Sequence, residues 1–269
     1  MKQFLRNYLL AIQFFTRIPI TGEVAQWVGY SPAMLRESAA HFPGVGWVVG
    51  ALSAVVFAAG LWALPAQAAS VWVAVVLSTV FSVLLTGAFH EDGLADTADG
   101  LGGGFTREKV LEIMKDSRIG TYGAIALILV IFCKVSLLVL LSQAQTSWAL
   151  MGLFIAHVTS RFTPLFLIRT MEHVGNTEQS KSKPLAESIS NKGVLVGAVW
   201  WIVAMILTSY SVPVVVLCAG AVGAMVAALW MAWRLNKRLQ GFTGDGLGAT
   251  QQLSEIGFYL GAVFALGFQ

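Results

Sequence analysis

The run Ile119-Gly120-Thr121-Tyr122-Gly123-Ala124-Ile125-Ala126-Leu127-Ile128-Leu129-Val130-Ile131-Phe132-Cys133-Lys134-Val135-Ser136-Leu137-Leu138-Val139-Leu140-Leu141 decides the fold. It carries a single charge. As a helix it is long enough to cross a hydrocarbon core of about 30 Å, which takes roughly 20 residues. Apolar and polar residues do not alternate along it, so a membrane strand is excluded. Working outward, comparable runs lie at 47–64, 68–89, 147–168, 193–211, 213–233 and 249–268. The connections at 65–67, 142–146 and 212 are too short for anything but antiparallel hairpins. The chain therefore reads as all-α: a polytopic transmembrane helix bundle of about seven spans.

Composition agrees. Hydrophobic residues make up 57% of the 269, charged ones 12%, and the mean hydropathy is +0.73. A soluble domain carries about twice that charge. No repeat, linker or low-complexity stretch divides the chain, so 1–269 is taken as a single integral membrane domain. The net charge of +3 includes no basic cluster interleaved with aromatics, which excludes a nucleic-acid partner. Cys133 and Cys218 sit inside apolar runs and read as packing residues.

The N-terminus is not expected to be a cleaved leader, because Gln13 and Arg17 interrupt its apolar stretch and no small-residue cleavage site follows. Phe4, Leu5, Tyr8, Leu9, Ile12 and Phe15 share one helical face, which predicts an amphipathic interfacial helix.

Charge sets the orientation. Fifteen of the seventeen Lys and Arg lie in the N-terminal segment and in loops 90–118, 169–192 and 234–248, while the alternate loops have none. The positive-inside rule puts those segments in the cytoplasm and the C-terminus on the far side. Lys134 and Arg161 are the exceptions. Lys134 is expected to snorkel to an interface, and Arg161 is the better functional candidate of the two.

The acids repeat the asymmetry. Four fall in His90-Glu91-Asp92-Gly93-Leu94-Ala95-Asp96-Thr97-Ala98-Asp99-Gly100. Asp92, Asp96 and Asp99 stand at i, i+4 and i+7, one face of a helix. Stacked carboxylates repel unless a cation sits among them, and hard oxygen donors suit Mg²⁺. The alternative is a solvated acidic face. The scarcity of charge elsewhere, the position at the end of a span and the lack of nearby Lys count against it. His90 and Glu91 are candidate general bases for a hydroxyl nucleophile. Two further stretches mix Gly with polar residues at the mouths of spans, Met114–Gly123 and Gly241–Gln252. Lys115, Asp116 and Arg118 in the first, and Thr243 and Asp245 in the second, are candidates for binding substrate. Asp116, Asp245 and Thr243 would serve equally well as helix caps. Together the three stretches read as three edges of one phosphate-and-metal site.

At this point the chain resembles the adenosylcobinamide-GDP ribazoletransferase (cobalamin synthase) family. The resemblance covers nearly the whole length. It rests on Phe14-Phe15-Thr16-Arg17-Ile18-Pro19, Phe42-Pro43-Gly44-Val45-Gly46, the acidic run with Gly102-Gly103-Gly104 behind it, the stretch Lys115–Gly120 and Thr243-Gly244-Asp245. Its one departure lies at Gln251-Gln252. It implies a Mg²⁺-assisted phosphoryl transfer between two partners, adenosylcobinamide-GDP and α-ribazole or its 5′-phosphate. GMP would be released and adenosylcobalamin or its 5′-phosphate formed. The expected setting is the lipid bilayer of the bacterial inner membrane, with the site facing the cytoplasm; a homo-oligomer is left open. Asp92, Asp96 and Asp99 would hold the metal, His90, Glu91 and Arg118 would be catalytic, and Lys115, Asp116, Arg118, Thr243 and Asp245 would bind substrate.

Two rivals fare worse. A CDP-alcohol phosphotransferase needs two more widely spaced Asp pairs with an Ala-Arg between them. An ion-coupled transporter would show inverted repeats and charges near the bilayer midplane, and the sequence reads as having neither.

Overall fold

The computed structural model describes residues 2–174 and 188–267. Lys181 and Lys183 of the expected basic loop, and the last residue of the span expected at 249–268, lie outside them.

Among the described residues the regular elements are all helices, apart from one parallel bridge between His173 and Phe242. Near the N-terminus come α1 (Lys2–Phe15), α2 (Gly22–Val28) and α3 (Pro32–Ser38). A 3₁₀ turn leads into α4 (Phe42–Ala63), which pairs with α5 (Ala68–Thr86). Then follow α6 (Phe89–Gly103), α7 (Arg107–Ile113), α8 (Thr121–Ala144), α9 (Thr146–Phe162) and α10 (Pro164–Thr170). The last three are α11 (Asn191–Ser209), α12 (Val214–Leu239) and α13 (Gly244–Leu266).

Six segments are long and apolar enough to cross a membrane: Pro32–Ala63, Ala68–Thr86, Thr121–Ala144, Thr146–Thr170, Asn191–Ser209 and Val214–Leu239. They match six of the expected spans to within about a turn at each end, except that the first begins earlier and the last, expected to end at 233, runs on to Leu239. The seventh expected span is α13. Its 23 residues are enough, but Asp245, Gln251, Gln252 and Glu255 lower its apolarity and it is not among the six.

Burial explains that difference. On α5, α8, α11 and α12 large apolar side chains such as Leu84, Phe132, Val199 and Val222 turn outward. By contrast α9 is buried along most of its length and α13 is mostly buried from Gly246 to Tyr259, beyond which Leu260 and Phe264 turn outward. A helix at the centre of a bundle meets protein on all sides, so it can carry polar groups that would be costly against lipid.

The amphipathic α1 is present, and its inner face closes on protein. Leu10, Ala11, Ile12 and Phe15 are buried, the Tyr8 hydroxyl donates to the Gly44 carbonyl at 3.0 Å, and Phe15 stacks on Phe42 with ring centroids 4.3 Å apart. Phe4 and Leu5 remain exposed.

Lys134 does not snorkel. It is 4% exposed near the middle of α8, and its Nζ lies 2.7 Å from Glu255 Oε1 on α13. Charges therefore do occur mid-bundle, contrary to the reading of the sequence. A buried partner on a distant helix outweighs the reach of a long stem to the interface.

Candidate functional site

Several helix termini meet at one end of the bundle: the C-termini of α5 and α12 and the N-termini of α6, α8 and α13. The turn from α5 into α6 needs two left-handed residues, Gly87 (φ 66°) and Ala88 (φ 57°). A side chain at Gly87 would run into the Arg17 guanidinium. This sharp turn sets α6 against the end of the bundle instead of letting α5 continue.

The acidic run forms α6, as its i, i+4, i+7 spacing predicts. The helix crosses α13 backbone to backbone. A Cβ on Gly93 would stand 2.8 Å from the Asp245 carbonyl oxygen, and one on Gly248 would stand 3.3 Å from the His90 carbonyl oxygen. With no side chains between the two helices, Asp245 comes into the electrostatic field of the α6 carboxylates. Burial and the charges of Asp92, Asp245 and Asp99 push the Asp96 carboxyl up to about 7. Burial and Asp92 push Asp245 up to about 6. Asp92, Asp96 and Asp245 thus form a like-charged group on two helices.

Asp99 shares that face but is differently engaged. Its Oδ2 accepts from the Gly120 amide at 2.7 Å and its Oδ1 from the Gly123 amide at 2.8 Å. It therefore caps α8, satisfying amides that the first turn of a helix leaves without partners. Asp99 also borders a groove of about 480 Å³ lined by Asp116, Arg118, Gly120 and Tyr122. In that groove Asp116 and Arg118 pair at 2.6 Å, Nη2 to Oδ2, and are well exposed. The hydrogen bonds from Arg118 hold the Asp116 carboxyl down to about 2. Lys115 is exposed beside them.

The other candidates have structural occupations. The Thr243 hydroxyl accepts from the Gly246 amide at 3.0 Å and caps α13. His90 points away from the acids. It is 1% exposed and stacks on Phe42 (5.6 Å) and Phe15 (6.3 Å), with neither ring nitrogen hydrogen-bonded among the described residues. The space beside it is about 30 Å³, apolar, and holds about one water. Burial and Arg161 keep His90 well below the usual histidine range. Glu91 is also buried. Its Oε1 accepts from Gln252 Nε2 at 3.0 Å and its Oε2 has no partner among the described residues. Burial pushes this carboxyl up.

From Glu91 a buried polar chain runs into the bundle. Gln252 donates to Gln251 Oε1 at 3.0 Å, Gln251 donates to Glu255 Oε2 at 3.0 Å, and Glu255 meets Lys134. His157 Nδ1 lies 3.4 Å from Glu255, and Arg161 Nη1 donates to the His157 carbonyl at 3.1 Å. The reading of the sequence missed this chain, although the signal was present: Gln251, Glu255 and Tyr259 recur at i, i+4 and i+8 along one helix, as do His157 and Arg161 at i, i+4.

The donor set near Asp96 fits a hard cation in charge and in atom type. Among the described residues no three His, Cys, Asp or Glu side chains converge closely enough to hold a metal by themselves. Mg²⁺ commonly takes only one or two carboxylates and completes its shell with water and substrate phosphate, so this geometry suits an ion that arrives with its substrate.

Fold and site together define a polytopic helical membrane protein with a cluster of carboxylates at one end of its bundle. The family model for cobalamin-5-phosphate synthase matches residues 7–263. Adenosylcobinamide-GDP ribazoletransferase of Albidiferax ferrireducens is 51% identical, covering 99% of this chain and all of that protein. Those of a Polaromonas species and of Vibrio cholerae are 50% and 43% identical, over 98% and 95% of this chain and 98% and 92% of their own. No solved structure matches. The chain belongs to the cobalamin-5-phosphate synthase family.

Proposed function

We propose that the chain is an adenosylcobinamide-GDP ribazoletransferase working at the cytoplasmic face of the bacterial inner membrane, with Mg²⁺ as its cofactor. A hydroxyl of α-ribazole, or of its 5′-phosphate, attacks the phosphorus attached to adenosylcobinamide. A P–O bond forms, the bond to GMP breaks, and adenosylcobalamin or its 5′-phosphate results.

Such a transfer leaves a protein mainly positioning and charge neutralisation to perform. When bound, the metal supplies neutralisation of the pyrophosphate and of the departing GMP. Asp92 and Asp96, with Asp245 opposite, are the residues that would hold it. Asp99 adds charge at the end of that face and anchors α8 beside the groove. Arg118 and Lys115 lie where they can reach anionic oxygens. Arg118 would exchange Asp116 for phosphate, which offers the same bidentate geometry. Of the two candidate bases, Glu91 has an unengaged oxygen and adjoins the acidic face, whereas His90 packs among aromatic rings on the other side. Glu91 is assigned to take the hydroxyl proton, and His90 to packing.

The observation that supports the site assignment is the close crossing of α6 and α13 at Gly93, which brings Asp245 up to Asp92 and Asp96 at one end of the bundle. Family membership supports the reaction. The test is GMP release from adenosylcobinamide-GDP by the detergent-purified chain. Release should require α-ribazole or its 5′-phosphate and should stop with a chelator and resume with Mg²⁺. Release independent of the ribazole would overturn the reaction, and release indifferent to chelation would overturn the metal.

A further inference from the structure

Of the stretch 14–19, Phe15 packs in the core and Arg17 is exposed. The Thr16 hydroxyl between them donates to the Ile12 carbonyl at 2.7 Å and accepts from the Ile18 amide at 3.2 Å, which ends α1 and turns the chain. The Arg17 amide donates to the Leu85 carbonyl at 2.7 Å and pins this turn to the C-terminus of α5. Phe14 packs edge-on against Phe89, with ring centroids 5.8 Å apart. Phe89, Asp92 and Asp96 stand at i, i+3 and i+7, on one face of α6. The end of α1 therefore lies at the Phe89 end of the face that carries the acids.

The Arg17 guanidinium lies against the main chain at Gly87, so close that a Cβ there would collide with its Nε. The carbonyl of the next residue, Ala88, accepts from the Asp92 amide at 2.9 Å, so the main chain under Arg17 is one helical turn from Asp92. The obvious structural use for an arginine here would be to donate to the carbonyls left open where α5 ends. Main-chain amides already meet them. The Gly87 amide donates to Leu84 at 3.1 Å, the Ala88 amide to Val83 at 2.8 Å, and the amide of Arg17 itself to Leu85. The guanidinium makes no hydrogen bond or ion pair among the described residues, and its N–H donors are open. An exposed cation thus stands at one margin of a face whose carboxylates repel any arriving phosphate. Arg118 and Lys115 stand at the opposite margin, where Asp99 meets the start of α8.

We propose that Arg17 is a substrate-binding residue, whose guanidinium takes a phosphate group at the Phe89 end of the acidic face while Arg118 and Lys115 serve the other end. The planar fork of an arginine suits two phosphate oxygens at once. This inference rests on the reaction proposed above, in which phosphate comes from two sources: the diphosphate of adenosylcobinamide-GDP and the 5′-phosphate of the acceptor.

Equilibrium dialysis of the full chain in detergent with Mg²⁺ tests this, with adenosylcobinamide-GDP, α-ribazole 5′-phosphate and α-ribazole each offered alone. Arg17→Gln should weaken a phosphate-bearing ligand about tenfold, the worth of one charge-assisted hydrogen bond, and leave α-ribazole unchanged. Arg17→Lys keeps the charge without the fork and should recover part of the loss. The thermal midpoint of the unliganded chain should not move, because the guanidinium bonds to nothing in the protein. Weakening confined to α-ribazole 5′-phosphate assigns Arg17 to the acceptor's phosphate, and weakening confined to adenosylcobinamide-GDP assigns it to the diphosphate. Unchanged binding of both in Arg17→Gln would overturn the proposal. So would a lowered thermal midpoint with all three ligands weakened alike, the mark of a structural role. Failure of the reaction itself shows differently, as ligand bound to the unaltered chain without release of GMP, and the dialysis then still decides the role of Arg17.

Discussion

Halfway along α8 and α13, Lys134 and Glu255 neutralise each other at 2.7 Å, with Gln251 and His157 around them. At the α6 end, Asp92, Asp96 and Asp245 gather, and none of the ion pairs among the described residues includes them. Both groups use acids in a chain that has few. In the first group the protein itself supplies the countercharge, so the group can hold helices together without a ligand. In the second no ion pair among the described residues does so, and the folded state carries a repulsion that protons or a metal would relieve. Depth in the membrane is thus a poor guide to function here, and missing compensation is a better one.

The strongest way to break this comparison is to remove charge from each group. Asp92→Asn or Asp96→Asn should lower GMP release by about three orders of magnitude, since a ligand to the neutralising ion is lost. The same variants should unfold in metal-free buffer at the same temperature or higher. A clear loss of stability would mean that these acids are structural after all. Lys134→Met should act in the opposite sense, costing about 3–5 kcal/mol by leaving Glu255 buried without its partner. Much of that loss should return in the double variant Lys134→Met with Glu255→Gln, measured by denaturant unfolding in mixed micelles. A double variant as unstable as the single one would show that the pair does not act as a unit.

The smallest expected effect sharpens the contrast through pH. Asp96 and Asp245 have folded values of about 7 and about 6, above the ordinary carboxylate value of 3.8. The folded state therefore binds protons more tightly than the unfolded one. Stability from these groups is fully present below about pH 4 and is lost as pH rises through about 6 and 7. Mg²⁺ competes with those protons. It should raise the thermal midpoint by about 2–4 °C at pH 8 and hardly at all at pH 5. An equal rise at both values would place the ion elsewhere.

The spans were legible because hydrophobic length is a local property, and the α6 face was legible because three acids share one period. The cap on α8 was not. Asp116 precedes that helix and has the right chemistry for it, but its side chain accepts from the Arg118 amide at 3.1 Å, and Asp99 from α6 takes the position instead. Thr243 was legible as a cap because its partner, Gly246, lies three residues on. The pairing of Lys134 with Glu255 joins residues on helices far apart in the chain, and no window of sequence contains both. Charge spacing along one helix can be read directly, whereas compensation between helices requires the packing to be known.

The crossing of α6 over α13 limits how this chain can vary. Gly93 and Asp245 exchange no hydrogen bond, yet any side chain at the first would displace the main chain of the second. A substitution at Gly93 would dislocate the acidic group without altering a single acid. The obstacle is main chain, which every residue at 245 would present, so no exchange at 245 makes room for a side chain at 93 and the glycine itself must stay.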